Sequence, residues 1–222
     1  MKQTQWKMSN KRHEKTYNVP TLILSLILAF ALWFFLFSPW TKGMVNFWIA
    51  ISLASLVLSI IALSIRKQII SELKFNWQSI VAGIFIAAAL WGVFWIGDKI
   101  SSMMFSFEKN QVASIYSMRD GHNKWLIAML LLLIMGPAEE IFWRGYVQKT
   151  LQEIINPNAG FVIGVILYSL AHLWSFNFML IMAALVAGLA WGAIYRLFQK
   201  SLPALIISHS LWDVMVFVIF PI

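Results

Sequence analysis

The sequence contains no cysteine, which excludes disulfide bonds and thiolate metal sites. Charged residues are also scarce: they make up 12% of the 222 residues, against about 25% in a typical soluble domain. Acidic residues are the rarer sign, with nine Asp and Glu against 17 Lys and Arg. Hydrophobic residues, by contrast, reach 60%, and the mean hydropathy is +0.76. This balance excludes an ordinary soluble domain and predicts a protein of the lipid bilayer.

Long apolar runs divide the chain. A helix needs roughly 17–25 apolar residues to cross the hydrocarbon core of a bilayer. Seven runs approach or reach this length: Thr21–Phe37, Val45–Ile65, Ile80–Ile96, Trp125–Trp143, Gly160–Trp174, Phe178–Tyr195 and Pro203–Phe220. We therefore predict an all-α fold, a polytopic transmembrane bundle of seven to eight helices with an intramembrane polar cavity.

Basic residues are distributed unevenly between the two ends of these spans. With a cytoplasmic N-terminus, twelve of the 17 Lys and Arg residues lie inside and five outside. This bias is typical of membrane proteins. The net charge of +8 would also suit a nucleic-acid-binding surface, but its distribution favours the bilayer and no nucleic acid as partner. We expect a multi-pass protein of a bacterial plasma membrane with its N-terminus in the cytoplasm.

Three regions follow from this pattern. Residues 1–20 are predicted to be a basic cytoplasmic tail. Residues 21–124 are predicted to form scaffold helices and an outer polar loop at Asp98–Lys124. Residues 125–222 are predicted to be the catalytic core, because ionisable residues inside spans are costly and usually mark an internal site.

The fourth span is predicted to continue as a helix to a turn at Asn156-Pro157. Glu139 lies 18 residues before Pro157, and His172 lies 15 residues after it. At ~1.5 Å per residue these positions are ~27 Å and ~22 Å from the turn. An antiparallel hairpin therefore brings Glu139 and His172 to nearly the same level in the membrane.

Glu139 and Glu140 are adjacent, so their side chains point about 100° apart on a helix. Glu140 and Arg144 are at i,i+4 and can form an ion pair on one face. This pair favours a structural role for Glu140 and leaves Glu139 to point into the bundle as a candidate catalytic group.

Two further polar pairs have helical spacing. Tyr168 and His172 share one face of the fifth span, and His209 and Asp213 share one face of the seventh. A histidine on an apolar helix is usually a packing residue, and a His–Asp pair often ties helices together. Of the four histidines in the sequence, however, only His172 and His209 lie inside predicted spans, which favours a functional role for them.

Together these residues suit the activation of water. Glu139 with His172 can act as general base, and the resulting hydroxide can attack a peptide carbonyl. His209 and Asp213 can stabilise the oxyanion, although an ionised Asp213 cannot donate and must be protonated or orient His209. Glu139, His172 and His209 could alternatively bind a divalent metal such as Zn²⁺. The H-E-x-x-H spacing is absent, so the favoured interpretation requires no cofactor.

Three motifs carry a family resemblance: E-E-x-x-x-R at 139–144, Y-x-x-x-H at 168–172 and H-x-x-x-D at 209–213. In this order, on separate helices, they resemble the CAAX protease and bacteriocin-processing (Abi) family, which includes the type II CAAX prenyl endopeptidases. The resemblance covers roughly residues 125–215. Asp213 departs from the Asn of the prenyl endopeptidases and removes a neutral amide donor.

The resemblance implies an intramembrane endopeptidase of about eight helices with a cavity open to the cytoplasmic leaflet. It assigns water activation to Glu139 and His172 and the oxyanion site to His209 and position 213. Both a metal-dependent and a glutamate mechanism have been described for this family.

The leading hypothesis is therefore an endopeptidase that cleaves a membrane-associated peptide or membrane-anchored protein, as in peptide or bacteriocin processing. One alternative is a non-catalytic immunity or regulatory protein that binds a peptide or a sensor partner. A proton-coupled transporter is a third hypothesis, disfavoured because the spans lack repeat symmetry and paired broken helices.

Overall fold

The computed structural model describes residues 19–222, so the predicted basic tail falls almost entirely outside the described residues. All regular structure in that range is helical. In chain order the helices are α1 Val19–Phe37, α2 Phe47–Ile65, α3 Gln68–Glu72, α4 Trp77–Met104, α5 Glu108–Tyr116, α6 Lys124–Ile154, α7 Pro157–Ser175, α8 Phe178–Leu197 and α9 Leu202–Ile219. Seven of them, all but α3 and α5, are long and apolar enough to cross a membrane. The protein is an integral, multi-pass helical bundle, which confirms the predicted fold class.

The segment predicted as a polar loop, Asp98–Lys124, is largely helical. Helix α4 continues to Met104, and α5 adds nine residues, too few to cross the bilayer. Asn76 begins α4 with a capping box: its side chain accepts a hydrogen bond from the backbone N–H of Ser79 at 2.8 Å, and the Ser79 hydroxyl bonds back to Asn76.

Helix α6 is continuous but changes its winding near the two glutamates. Pro137 has no N–H to donate to the carbonyl of Leu133 and would clash with it in a regular α-helix. The helix avoids this conflict by widening to a π-turn over Leu131–Met135, where the N–H of Gly136 bonds to the carbonyl of Leu131. A second π-stretch covers Ile141–Gln148. Such wide turns are frequent at functional sites because they redirect side chains.

The hairpin between α6 and α7 has the predicted form. Helix α6 runs to Ile154, and Asn156 caps α7 by accepting hydrogen bonds from the backbone N–H groups of Asn158 and Ala159 at 3.0 and 2.8 Å. Near the turn, Arg66 makes a two-pronged ion pair with Glu153 at 2.7 and 2.8 Å. This contact fixes the end of α2 to the end of α6.

Glycine allows α9 to approach its neighbours closely. At Gly136 of α6, a Cβ atom would lie 2.7 Å from the Cα of Ser210, so these two backbones are in direct contact one turn before Glu139. At Gly83 of α4, a Cβ atom would lie 2.6 Å from the Cβ of Ile207.

We expect Gly83→Ala to destabilise the protein by about 1–3 kcal/mol, because the added methyl group overpacks the α4–α9 contact. Gly92→Ala is the matched control: it lies on the same helix, and its Cβ would meet no atom within 4 Å. That control should be neutral or slightly stabilising, since alanine is the better helix former. Thermal unfolding in detergent measures both variants, and equal melting temperatures would contradict the expectation.

Candidate functional site

Polar side chains from each of the three motifs meet at one cavity of about 540 Å³ inside the bundle. Glu139 of α6, Tyr168 and His172 of α7, and His209 and Asp213 of α9 all line it. Each of these residues is buried, with at most 8% of its surface exposed. Glu139 therefore faces the interior of the bundle.

Tyr168 connects Glu139 to His172. Its hydroxyl group donates a hydrogen bond to Oε2 of Glu139 at 3.4 Å, and its backbone carbonyl lies 3.0 Å from Nδ1 of His172. A carbonyl oxygen can only accept, so Nδ1 carries the proton and Nε2 of a neutral His172 is the acceptor nitrogen of the ring. Glu139 and His172 both line the cavity, so the carboxylate can accept a proton from water, and Nε2 can do so when water replaces the hydrogen bond that it receives from Trp33.

Trp33 of α1 completes the surroundings of His172. Its indole N–H donates to Nε2 of His172 at 3.4 Å, and the tryptophan is 1% exposed. The first three spans were predicted to be scaffold, and this contact was not predicted. The available signal was a tryptophan within a span rather than at its end, where interfacial belts place it.

We expect Trp33→Phe to lower kcat roughly 5-fold with KM unchanged, because the His172 ring loses one of the two hydrogen bonds that orient it before water binds, each worth about 1 kcal/mol. The control is Trp174→Phe, since Nε1 of Trp174 has no hydrogen-bond partner among the described residues. Steady-state kinetics over a range of pH should show a changed pH profile only for Trp33→Phe. An identical response of the two variants would contradict a positioning role for Trp33.

Glu140 does not line the cavity but contacts two residues beside it, Arg144 and His209. Its Oε1 atom is 3.0 Å from Nη1 of Arg144, the ion pair that the sequence analysis predicted. The same oxygen accepts a hydrogen bond from Nδ1 of His209 at 2.8 Å. This second contact was not predicted, and it means that Glu140 also orients His209 from the neighbouring helix.

Trp191 of α8 packs between the charged groups. Its ring stacks on His209 at 3.9 Å between centroids with the planes 24° apart, and the Arg144 guanidinium lies 5.4 Å from it. The Arg144 guanidinium also lies over the Tyr168 ring, 4.5 Å from its centroid. Arg144 thus makes cation–π contacts with two aromatic rings as well as its ion pair. Trp191 is fully buried and was also missed, because its sequence pattern does not distinguish it from packing tryptophans.

Asp213 is the remaining acid of the site. Its Oδ2 atom lies 3.5 Å from Nε2 of His209. Because Nδ1 of His209 donates to Glu140, the ring can donate from Nε2 only as an imidazolium. The two carboxylates on either side of the ring, Glu140 and Asp213, suit that charged form.

Glu139, His172 and His209 were named above as ligands of a divalent metal, if one is used. Within residues 19–222, no three His, Cys, Asp or Glu side chains form a group that could hold a metal ion. Both ring nitrogens of His209 face carboxylates instead. The donor set therefore does not fit a bound metal in this arrangement.

Part of the chain matches a known protein family. Residues 121–215 match the family model described as type II CAAX prenyl endopeptidase Rce1-like. The match spans all three motifs and confirms the resemblance that they indicated, while α1 to α5 lie outside it. No curated protein and no solved structure matches the chain.

Proposed function

We propose that the chain is an intramembrane endopeptidase in which Glu139 and His172 activate water for attack on a peptide bond. The observation that carries the proposal is the convergence of Glu139 and His172 on one buried cavity, where Tyr168 contacts both. The family match supports a protease in general terms.

The reaction begins with a water molecule held between the Glu139 carboxylate and Nε2 of His172, where the water replaces the indole N–H of Trp33 as the donor to Nε2. One of these groups accepts a proton as the water oxygen bonds to the peptide carbonyl carbon, and the carbonyl oxygen becomes an oxyanion. When the tetrahedral intermediate collapses, the C–N bond breaks and the stored proton passes to the leaving nitrogen. The products are a carboxylic acid and an amine.

The oxyanion is stabilised from the α9 side of the cavity. His209, as an imidazolium, donates its one Nε2 proton to the oxyanion in place of the 3.5 Å contact with Asp213, and Asp213 donates as well when protonated. Glu140 and Trp191 hold the imidazole in place before substrate binds. This preorganisation is the form of electrostatic stabilisation that contributes most in acyl-transfer enzymes.

The substrate in this proposal is a membrane-associated peptide or a membrane-anchored protein. The cavity walls are mainly apolar, with Phe94, Met135 and Trp212 among the lining side chains. Such walls suit an apolar peptide segment and do not require a prenyl group. Processing of small peptides, including bacteriocins, fits this chemistry.

The test is a comparison of membrane peptidomes from cells that carry the wild-type chain, Glu139→Ala or Asp120→Ala. Asp120 is an exposed acid that does not line the cavity and serves as the control. We expect cleavage products in the wild type and in Asp120→Ala that are missing in Glu139→Ala. A parallel sample with a chelator reports on metal dependence.

The non-catalytic alternative gives the opposite result. If Glu139→Ala remains folded, keeps the cellular phenotype and leaves the peptidome unchanged, the chain acts by binding a peptide or a sensor partner. That outcome would overturn the endopeptidase proposal.

A further inference from the structure

The candidate active cavity occupies only one half of the bundle. Its lining includes the last residue of α1, Phe37, the first residue of α2, Phe47, and the first residue of α8, Phe178. On α6 and α9 the lining extends no farther toward the opposite end than Glu139 and His209. The catalytic candidates therefore form the floor of a cavity whose walls rise toward the end of the bundle that carries residues 38–46 and 105–123.

Helix α5 lies across this end and is fastened to several helices. The side-chain carbonyl of Gln111 accepts a hydrogen bond from the backbone N–H of Met179 at 3.0 Å, and the backbone carbonyl of Gln111 accepts one from Asn177 at 2.8 Å. The Tyr116 hydroxyl accepts a hydrogen bond from the N–H of Ile222 at 2.9 Å. Because Tyr116 also lines the cavity, α5 belongs to the same end as the cavity walls.

The opposite end of the bundle carries most of the positive charge. It includes the start of α1 at Val19, which the basic residues 2, 7, 11, 12 and 15 precede in the sequence. The described basic residues at that end are Arg66, Lys67, Lys74, Lys149, Arg196 and Lys200; Arg144, which is buried in its ion pair with Glu140, is left out of this count. The cavity end carries Lys42, Lys99, Lys109, Arg119 and Lys124. Eleven basic residues against five place the end opposite the cavity in the cytoplasm.

We infer that the cavity lies toward the extracytoplasmic side of the membrane, is reached from that side past α5, and takes an exported peptide, or the outer segment of a membrane-anchored protein, as its substrate. The cytoplasmic opening implied by the family resemblance is incompatible with a cytoplasmic N-terminus, because the cavity and the start of α1 lie at opposite ends. A lipidated C-terminus in the cytosol would face the wrong end of the bundle. The assignment of a substrate rests on the proposed function, whereas the orientation of the cavity does not.

The absence of cysteine makes this orientation directly testable, since every introduced thiol is unique. Ser114 is exposed on α5 at the cavity end, Ser71 is exposed on α3 at the opposite end, and Ser101 of α4 lines the cavity. Each is changed to Cys in the full chain. Spheroplasts are treated with a cationic, membrane-impermeant methanethiosulfonate, before and after permeabilisation, and labelling in denaturant confirms that each thiol is present.

We expect Ser114→Cys and Ser101→Cys to react in intact spheroplasts and Ser71→Cys to react only after permeabilisation. The reverse pattern would overturn the inferred orientation. Reaction of Ser101→Cys only after permeabilisation, or under neither native condition, would overturn access from the outer side.

Activity and orientation are separated by repeating the labelling in a Glu139→Gln background. This variant is not expected to cleave, yet its labelling pattern should be unchanged. If the wild type cleaves nothing while the labelling follows the expected pattern, the proposed function fails and the orientation stands. If cleavage occurs but the cut positions in the peptidome lie only in cytoplasmic segments, the inferred substrate class is wrong.

Discussion

Glu139→Gln is expected to lower the rate of peptide-bond cleavage by about 10²- to 10⁴-fold, the contribution typical of a general base. The amide keeps the size of the side chain and can still accept a hydrogen bond from Tyr168 but cannot take a proton from water. The melting temperature should therefore change little. The measurement is single-turnover cleavage of a peptide identified in the membrane peptidome, with Asp120→Asn as the control.

The same assay tests whether Glu139 and His172 act together on one water molecule or contribute to separate steps. His172→Gln should produce a loss of similar size, and the Glu139→Gln/His172→Gln double variant should lose little more than either single variant. Residues that act as one unit show this lack of additivity. Fully additive losses would contradict joint activation of one water molecule, and an active, folded Glu139→Gln would remove the catalytic base from the proposal.

Glu140→Ala is expected to have the largest effect on stability, a loss of about 3–5 kcal/mol in the free energy of unfolding. Glu140 is fully buried and Arg144 is 2% exposed, so the substitution leaves the guanidinium charge buried without its carboxylate. It also removes the acceptor of the His209 Nδ1 proton. Thermal or SDS unfolding in detergent micelles provides the measurement.

The Arg66–Glu153 pair is the matched comparison, because it is also an Arg–Glu pair but lies nearer the surface, with side chains 14% and 13% exposed. Partial solvation should reduce the cost of Glu153→Ala to about 1 kcal/mol. The double variant Glu140→Leu/Arg144→Met should recover stability without recovering activity, since a buried ion pair can often be replaced by apolar residues. A Glu140→Ala variant as stable as Glu153→Ala would show that the Arg144 charge is compensated elsewhere.

Some contacts of the cavity helices could be predicted from the sequence and others could not. The hairpin that aligns Glu139 with His172 followed from counting residues on either side of Pro157, because helical rise converts sequence distance directly into depth. The Glu140–Arg144 pair followed from i,i+4 spacing for the same local reason. Trp33 and Trp191 did not follow, since each reaches the site across a helix–helix interface that no local spacing encodes. The π-turns near Pro137 were likewise missed, although the proline was a visible signal for a change in winding.

The amino-acid sequence alone determined the membrane location, the number of spans and the motif residues, because hydrophobic length and helical periodicity are local properties. Tertiary packing decided the second contact of Glu140, the aromatic partners of both histidines and the end of the bundle at which the cavity lies. These features depend on which helix faces meet and how closely, as at the Gly136–Ser210 approach. Distances between side chains far apart in the chain are set by that packing and not by spacing along the sequence.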